Sequence, residues 1–170
     1  NTMFDRDTML QLCNEWSKNT LMNTLDIVYT DAGEDFLTAT MPVNPRVHQP
    51  MGLLHGGATV ALAESVGSAA SLMFVNPEKQ EVRGIEISAN HLKSKREGMV
   101  TATAKIIHKG ASINLWEIRI VDEEGKLKLL IDEIIKHSNG LPIIFPVHPR
   151  TAKILQSIGI QHSLLHTIDP

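Results

Sequence analysis

The sequence predicts an α+β chain in which an antiparallel sheet curls around one long helix. Three observations carry that expectation. A helix-like run opening at Gly56-Gly57 is rich in Ala, Ser and Gly, and its apolar residues face nearly all sides, as in a buried helix. Two strand-like segments joined across Gly33 precede it. After Asn76-Pro77 the pattern changes to alternating segments separated by turns, which reads as a meander of strands.

Taken in order, residues 6–23 place Met9, Leu10, Cys13 and Trp16 at helical spacing. Segments 24–31 and 35–42 read as a hairpin, followed by the polar loop VNPRVHQP with its two prolines. The central helix is expected over about 57–75. Residues 82–94 alternate loosely around Ile85, Ile87 and Ala89, and 98–108 alternate cleanly, Val100, Ala102, Ala104 and Ile106 against Thr101, Thr103 and Lys105. Gly110 turns into 112–121, with Trp116, Ile118 and Ile120 on one face, and Asp122 to Gly125 turns into KLKLLI.

Composition excludes several function classes. The 170 residues suffice for one core with a small appendage, and 42% hydrophobic with 21% charged residues is ordinary for a globular protein. A net charge of −3 gives no basic footprint, so nucleic acid is not expected as a partner. The single Cys13 cannot form an internal disulfide and fits a cytoplasmic location. No apolar run reads as a membrane span, so no membrane partner is expected. The chain starts at Asn1 and stops at Pro170, which leaves trimming at either end open. His137, His148, His162 and His166 lack metal-site spacing, so no metal is implied.

The chemistry concentrates in MGLLHGGATVALAES, Met51 to Ser65. Uncrowded backbone N–H groups at a glycine-opened helix start can hold a developing oxyanion. Glu64 lies two turns beyond Gly57 on roughly the same face. Seven residues rise about 10 Å, whereas groups acting on one carbonyl must come within about 3 Å of it. One copy of the helix therefore cannot supply both; two antiparallel copies from a symmetric dimer can. A carboxylate on a solvated helix face and a His beside a helix start are the ordinary alternatives for Glu64 and His55. Gln49 carries no signal by itself, and Ser65, Ser68 and Ser71 are also good packing residues.

From about Thr20 to Leu127 the chain resembles a hotdog-fold acyl-CoA thioesterase of the PaaI-like, 4-hydroxybenzoyl-CoA thioesterase type. The matching text is LDIVYTDAGEDFLTATMPV, RVHQPMGLLHGGATVALAESVGSAAS, GIEISANHLKSKREGMVTATAKIIHKG and NLWEIRIVDEEGKL. The resemblance implies hydrolysis of acyl-CoA, aroyl-CoA included, without metal or bound cofactor, in homodimers or homotetramers with interfacial sites. It implies Glu64 as general base or nucleophile and the Gly57 N–H as the donor to the thioester carbonyl. His55 and Gln49 would position carbonyl and water, with Ser68 assisting the carboxylate. His91 and Met51 are implied substrate contacts. Lys93 and Arg96 belong to a basic group that suits the phosphates of coenzyme A, or is simply a solvated strand end.

The tail departs from that pattern. Residues 128–170 resemble an internal fragment of UDP-N-acetylglucosamine 2-epimerase, most of all in FPVHPRT, so the chain divides into a hotdog domain, 1–127, and an atypical C-terminal appendage, 128–170. The rest of that enzyme's site is absent, and no epimerase activity is assigned. A strand from Lys126 to about Ile131, then a short helix–strand–helix, is the expected arrangement; a helix over Ile131 to Ile135 is the alternative. Two rival functions remain: a non-catalytic acyl-CoA-binding hotdog, or a nucleotide-sugar-binding fragment.

Overall fold

The structure is a computed structural model and describes residues 5–76 and 78–138. Helices α1 (Arg6–Trp16) and α2 (Leu21–Thr24) precede strands β1 (Val28–Ala32) and β2 (Phe36–Val43). A 3-10 turn, Pro45–Val47, leads to helix α3 (Gly56–Ser71), which continues as the 3-10 turn Leu72–Phe74. Strands β3 (Glu81–His91), β4 (Gly98–Lys109), β5 (Ile113–Val121) and β6 (Leu127–Ser138) follow. All six pair antiparallel in one sheet of order β1-β2-β4-β5-β6-β3. This is the expected hotdog arrangement, a curled sheet around a central helix.

The core follows from the alternation of the strands. Leu37, Ala39, Met41 and Val43 of β2, Val100, Ala102 and Ala104 of β4, and Trp116, Ile118 and Ile120 of β5 are buried. They meet Leu62, Ala63, Val66 and Ala70 of α3. Small side chains line the sheet here, Ala39 paired with Ala102 and Ala104 paired with the larger Leu37, so the helix can lie close. Trp116 pins the far end of α3: its indole N–H donates to Ser71 Oγ at 2.8 Å, and Phe74 stacks on the ring at 5.7 Å between centroids. At the other side Tyr29 donates its hydroxyl to the Ser65 carbonyl at 3.0 Å. Asn14 docks α1 by accepting from the Tyr29 N–H at 2.9 Å and donating to its carbonyl at 3.0 Å.

Several sequence expectations are corrected. The helix expected over 6–23 breaks after Trp16: Ser17 caps it by donating to the Cys13 carbonyl at 2.7 Å, and Asn19 turns left-handed at φ 58°. The next strand starts at Val28 rather than residue 24, because Leu25 and Asp26 (φ 54°) complete the turn of α2. Helix α3 is not covered all round. Thr59, Leu62, Ala63, Val66, Gly67 and Ala70 form the buried stripe, and the opposite face is only partly covered. From Gly56 to Phe74 the helix is also long and apolar enough to cross a membrane by length and composition, contrary to the expectation that no run qualifies; its packing inside the sheet accounts for that apolarity.

The largest correction concerns the tail. β6 does not stop near Ile131, and no helix covers Ile131 to Ile135. The strand runs to Ser138, pairing Ile118 with Ile131 on the β5 side and Gly84 with Ile135 on the β3 side. Two waiting strand edges outweigh the helical look of DEIIK, because each satisfies a row of backbone groups. FPVHPRT and the rest of the expected appendage lie outside the described residues.

The Trp116 anchor is testable. Trp116→Phe keeps one aromatic ring but loses the pyrrole half of the indole and with it the bond to Ser71, and should cost at least about 1 kcal/mol; Trp116→Ala should cost about 3–5 kcal/mol. Urea midpoints measure both, and a Phe variant as stable as the parent would show that the indole bond does not hold helix to sheet.

Candidate active site

Helix α3 begins where His55, in extended conformation (φ −69°, ψ 130°), caps it. The cap is the ring itself: His55 Nδ1 accepts from the Gly57 N–H at 2.8 Å. Nδ1 must therefore be unprotonated in this geometry, leaving Nε2 to carry the proton of the neutral ring. The Gly57 donor is thus occupied. The neighbouring Gly56 N–H has no partner among the described residues. Glycine at 56 has a second cause, since a Cβ there would stand 2.9 Å from Cε1 of the His91 ring.

The loop before the helix is held rigidly. Gln49 donates its N–H to Leu53 O at 2.8 Å and accepts from the Gly52 N–H at 2.9 Å, with Gly52 left-handed at φ 72°. The His48 ring bonds the Arg96 carbonyl at 2.7 Å, and the Leu54 N–H donates to Lys95 O at 2.8 Å. The segment 47–55 and the connection after β3 therefore move as one piece.

Glu64 lies in the middle of α3, on the face away from its buried stripe and beside strand β3. Ser68 Oγ, one turn on, donates to Glu64 Oε1 at 3.3 Å. The carboxylate leans on Gly84 of β3, where an added Cβ would stand 2.9 Å from Oε2. Only glycine leaves the carboxylate room there.

These residues open on two clefts. One, about 620 Å³, follows the open face of α3 and contains Gly57, Glu64 and Ser68 among apolar side chains. The other, about 320 Å³, is lined by Gln49, Gly56, Thr59, His91 and Lys93, with Lys95 and Lys128. Of the residues singled out from sequence, Glu64, Ser68 and Gly57 share the first cleft, and Gln49, His91 and Lys93 share the second. His55, Met51 and Arg96 line neither; Met51 is 75% exposed, and Arg96 donates to its carbonyl at 3.4 Å.

Two acidic residues tie down the donor cleft. Lys128 pairs with Asp122 at 2.9 Å and Lys95 with Glu123 at 2.5 Å. The Lys128 bond holds Asp122 at about 2, and the Lys95 bond does the same for Glu123. From sequence the Gly56-Gly57 pair stood out as a donor site, but the donor was assigned to Gly57 rather than Gly56, and Gly84 and these ion pairs were missed. For Gly56 a signal existed: a cap side chain takes the N–H of the second or third helical residue, so His55 at the cap predicts that Gly57 is occupied. Gly84 had none, since its role depends on a contact between distant segments.

A long helix wrapped by a curled antiparallel sheet defines a hotdog fold, and comparison with known proteins gives that fold its family and activity. Residues 51–129 match the thioesterase superfamily. The 1,4-dihydroxy-2-naphthoyl-CoA hydrolase of Escherichia coli K12 is 45% identical over 125 residues, 74% of this chain and 91% of that protein. The proofreading thioesterase of Cronobacter sakazakii is 44% identical over 124 residues, 73% of this chain and 90% of its own. A thioesterase crystal structure from Haemophilus influenzae superposes with a TM-score of 0.72 at 40% identity, covering 83% of this chain and 95% of that one. The chain belongs to the thioesterase superfamily and is a thioester hydrolase.

Two outcomes are expected. Gly84→Ala should push the Glu64 carboxylate aside and lower kcat/KM about tenfold or more with the fold retained; steady-state kinetics beside circular dichroism decide it, and unchanged kinetics would remove Gly84 from the site. Asp122 titrates in the folded chain at about 2, below its ordinary 3.8, so its pair stabilises above the ordinary value and is lost as pH falls towards about 2. Lys128→Met should therefore lower the denaturant midpoint near neutral pH, with the gap to the parent closing in that acid window; a gap independent of pH would exclude the pair as its cause.

Proposed function

We propose that the chain hydrolyses acyl-CoA thioesters, aroyl-CoA among them, at composite sites in a homodimer, with homotetramers as dimers of that unit. The observation that carries this reading is the separation of the two chemical halves. Gly56 and Glu64 are eight residues apart on one helix, about 12 Å along its axis. The unoccupied donor opens on one cleft and the carboxylate on the other. A twofold axis that runs two α3 helices antiparallel puts the donor of one beside the carboxylate of the other. β3 supports that pairing, since among the described residues it is an edge strand bonded only to β6 and it carries Gly84 beside Glu64. Such an edge is a template for a second copy.

In this reading the Gly56 N–H, rather than that of Gly57, polarises the thioester carbonyl, while the His55 cap holds the helix start in place. Gln49 and His91, on the same cleft, orient the carbonyl and the water. Glu64 of the other subunit, steadied by the Ser68 hydroxyl, takes a proton from water as its oxygen bonds to the acyl carbon. The C–S bond then breaks, and the proton passes to the departing coenzyme A thiolate. If Glu64 attacks directly, an acyl-enzyme anhydride forms and water cleaves it in a second step. Lys93 lines the donor cleft with no carboxylate partner among the described residues, and Arg96 is exposed beside it. Both suit the phosphates of coenzyme A, and the exposed Met51, whose carbonyl Arg96 bonds, is close enough to Arg96 to meet the same substrate.

Mixing inactive subunits tests the reading. Glu64→Gln should abolish turnover, as should Gly56→Pro, which deletes one N–H at a position where proline is tolerated; Gly56→Ala controls for the added carbon. Subunits exchanged between the Glu64→Gln and Gly56→Pro dimers should recover about a quarter of the parental sites, since each hybrid rebuilds one intact pair. No recovery after proven exchange would exclude a shared site, and hydrolysis by Glu64→Gln alone would remove the carboxylate from the reaction.

A further inference from the structure

We propose that Met22, with Leu21 beside it, forms the wall that decides which acyl groups the enzyme accepts; this rests on the reading that Glu64 acts in the groove along α3. The groove has α3 on one side, with Val60, Ala61, Ala69 and Leu72, and Val82 of β3 beside it. Leu21 and Met22 of α2 complete the lining. Both lie outside residues 51–129, the part matched to the family. The lining of the groove that holds the carboxylate thus draws on an N-terminal segment outside that match.

The polar groups in the groove leave little for an acyl group except apolar contact. Ser65 Oγ spends its proton on the Ala61 carbonyl at 2.7 Å, and Ser68 Oγ donates to Glu64. Glu64 is the sole charged residue in the lining, and no cation accompanies it. An acyl group here is therefore selected by size and shape, through side chains that touch it. Leu21 and Met22 are the lining residues that come from neither α3, with the 3-10 turn that continues it, nor the sheet, so within one subunit their position sets the width of the groove.

That position is firmly set for so short a helix. Left-handed residues bracket it, Asn19 at φ 58° and Asp26 at φ 54°. Arg46 bonds Thr24 O at 2.5 Å and Asp26 Oδ2 at 2.9 Å, and the Ile27 N–H donates to Met22 O at 2.8 Å. Thr20 Oγ1 approaches the Met22 sulfur at 3.8 Å. A methionine held at its backbone yet flexible in its side chain suits a wall that closes on acyl groups of differing outline.

The test measures kcat/KM over a panel from acetyl-CoA to benzoyl-CoA and decanoyl-CoA. Met22→Ala should raise the ratio of bulky to small substrates about tenfold, Met22→Trp should lower it comparably, and Met22→Leu should leave it near the parental value. Equal ratios in the Ala and Trp variants would overturn the proposal. A second measurement holds even if those variants lose activity. In a Met22→Cys, Glu64→Gln chain, benzoyl-CoA at a concentration that saturates by calorimetry should slow iodoacetamide alkylation of the new thiol at least about tenfold. Cys13 stays silent, being buried with its thiol pushed up to about 11. Alkylation at the same rate with and without bound ligand would refute the wall, whereas turnover of benzoyl-CoA by Glu64→Gln would instead refute the placement of chemistry at Glu64.

Discussion

The close seating of α3 against the sheet is the constraint on which the rest depends. It requires small or slender side chains on both surfaces, and they are present: Ala63, Gly67 and Ala70 on the helix, Ala39, Ala102 and Ala104 on the strands. That stripe fixes the rotation of the helix about its axis. Once it is fixed, Gly57, Val60, Ala61, Glu64 and Ser68 must occupy the opposite face, so the carboxylate is directed away from the core and along an apolar groove. Trp116 at one end and Tyr29 near the middle hold this rotation through the Ser71 hydroxyl and the Ser65 carbonyl. Turning the helix by one residue, about 100°, would bury Glu64 against alanines and leave a charge without a partner.

The start of the helix solves a different problem. Four N–H groups at a helix start lack intrahelical partners, and most proteins satisfy them with a short polar cap. Here an imidazole takes the second donor, and the first belongs to a glycine that lines a cleft together with Gln49 and His91. The ring of His91 packs against the bare Gly56 carbon, so the same glycine that frees the backbone admits the ring. Order at one amide thus keeps the next amide open.

Much of the fold was legible in the sequence because its signals are local. The alternation in 98–108 and 112–121, the glycine-opened helix and the turn at Asp122 to Gly125 all reappear at nearly the expected places. The glycine pair and the isolated Glu64 also stood out, and so did the distance that separates them along one helix. What was misread depends on distant partners. Nothing local distinguishes DEIIK as a strand until β5 and β3 present their edges, and nothing near residue 84 tells that Glu64 leans on it. The break at Asn19 is the converse case: a helical pattern interrupted by a left-handed residue whose purpose, placing Leu21 and Met22, emerges only in three dimensions.

Strand β6 gives the architecture a particular dependence. In the order β1-β2-β4-β5-β6-β3, it alone joins β3 to the rest of the sheet among the described residues. β3 bears the glycine against which the Glu64 carboxylate rests, so the neighbourhood of Glu64 hangs from residues more than sixty positions downstream of it. The first part of the stretch whose text looked borrowed from another enzyme, as far as Ser138, is therefore a hinge pin of the pocket. Change in it is tolerable in side-chain identity, where backbone pairing suffices, but not in length or extendedness.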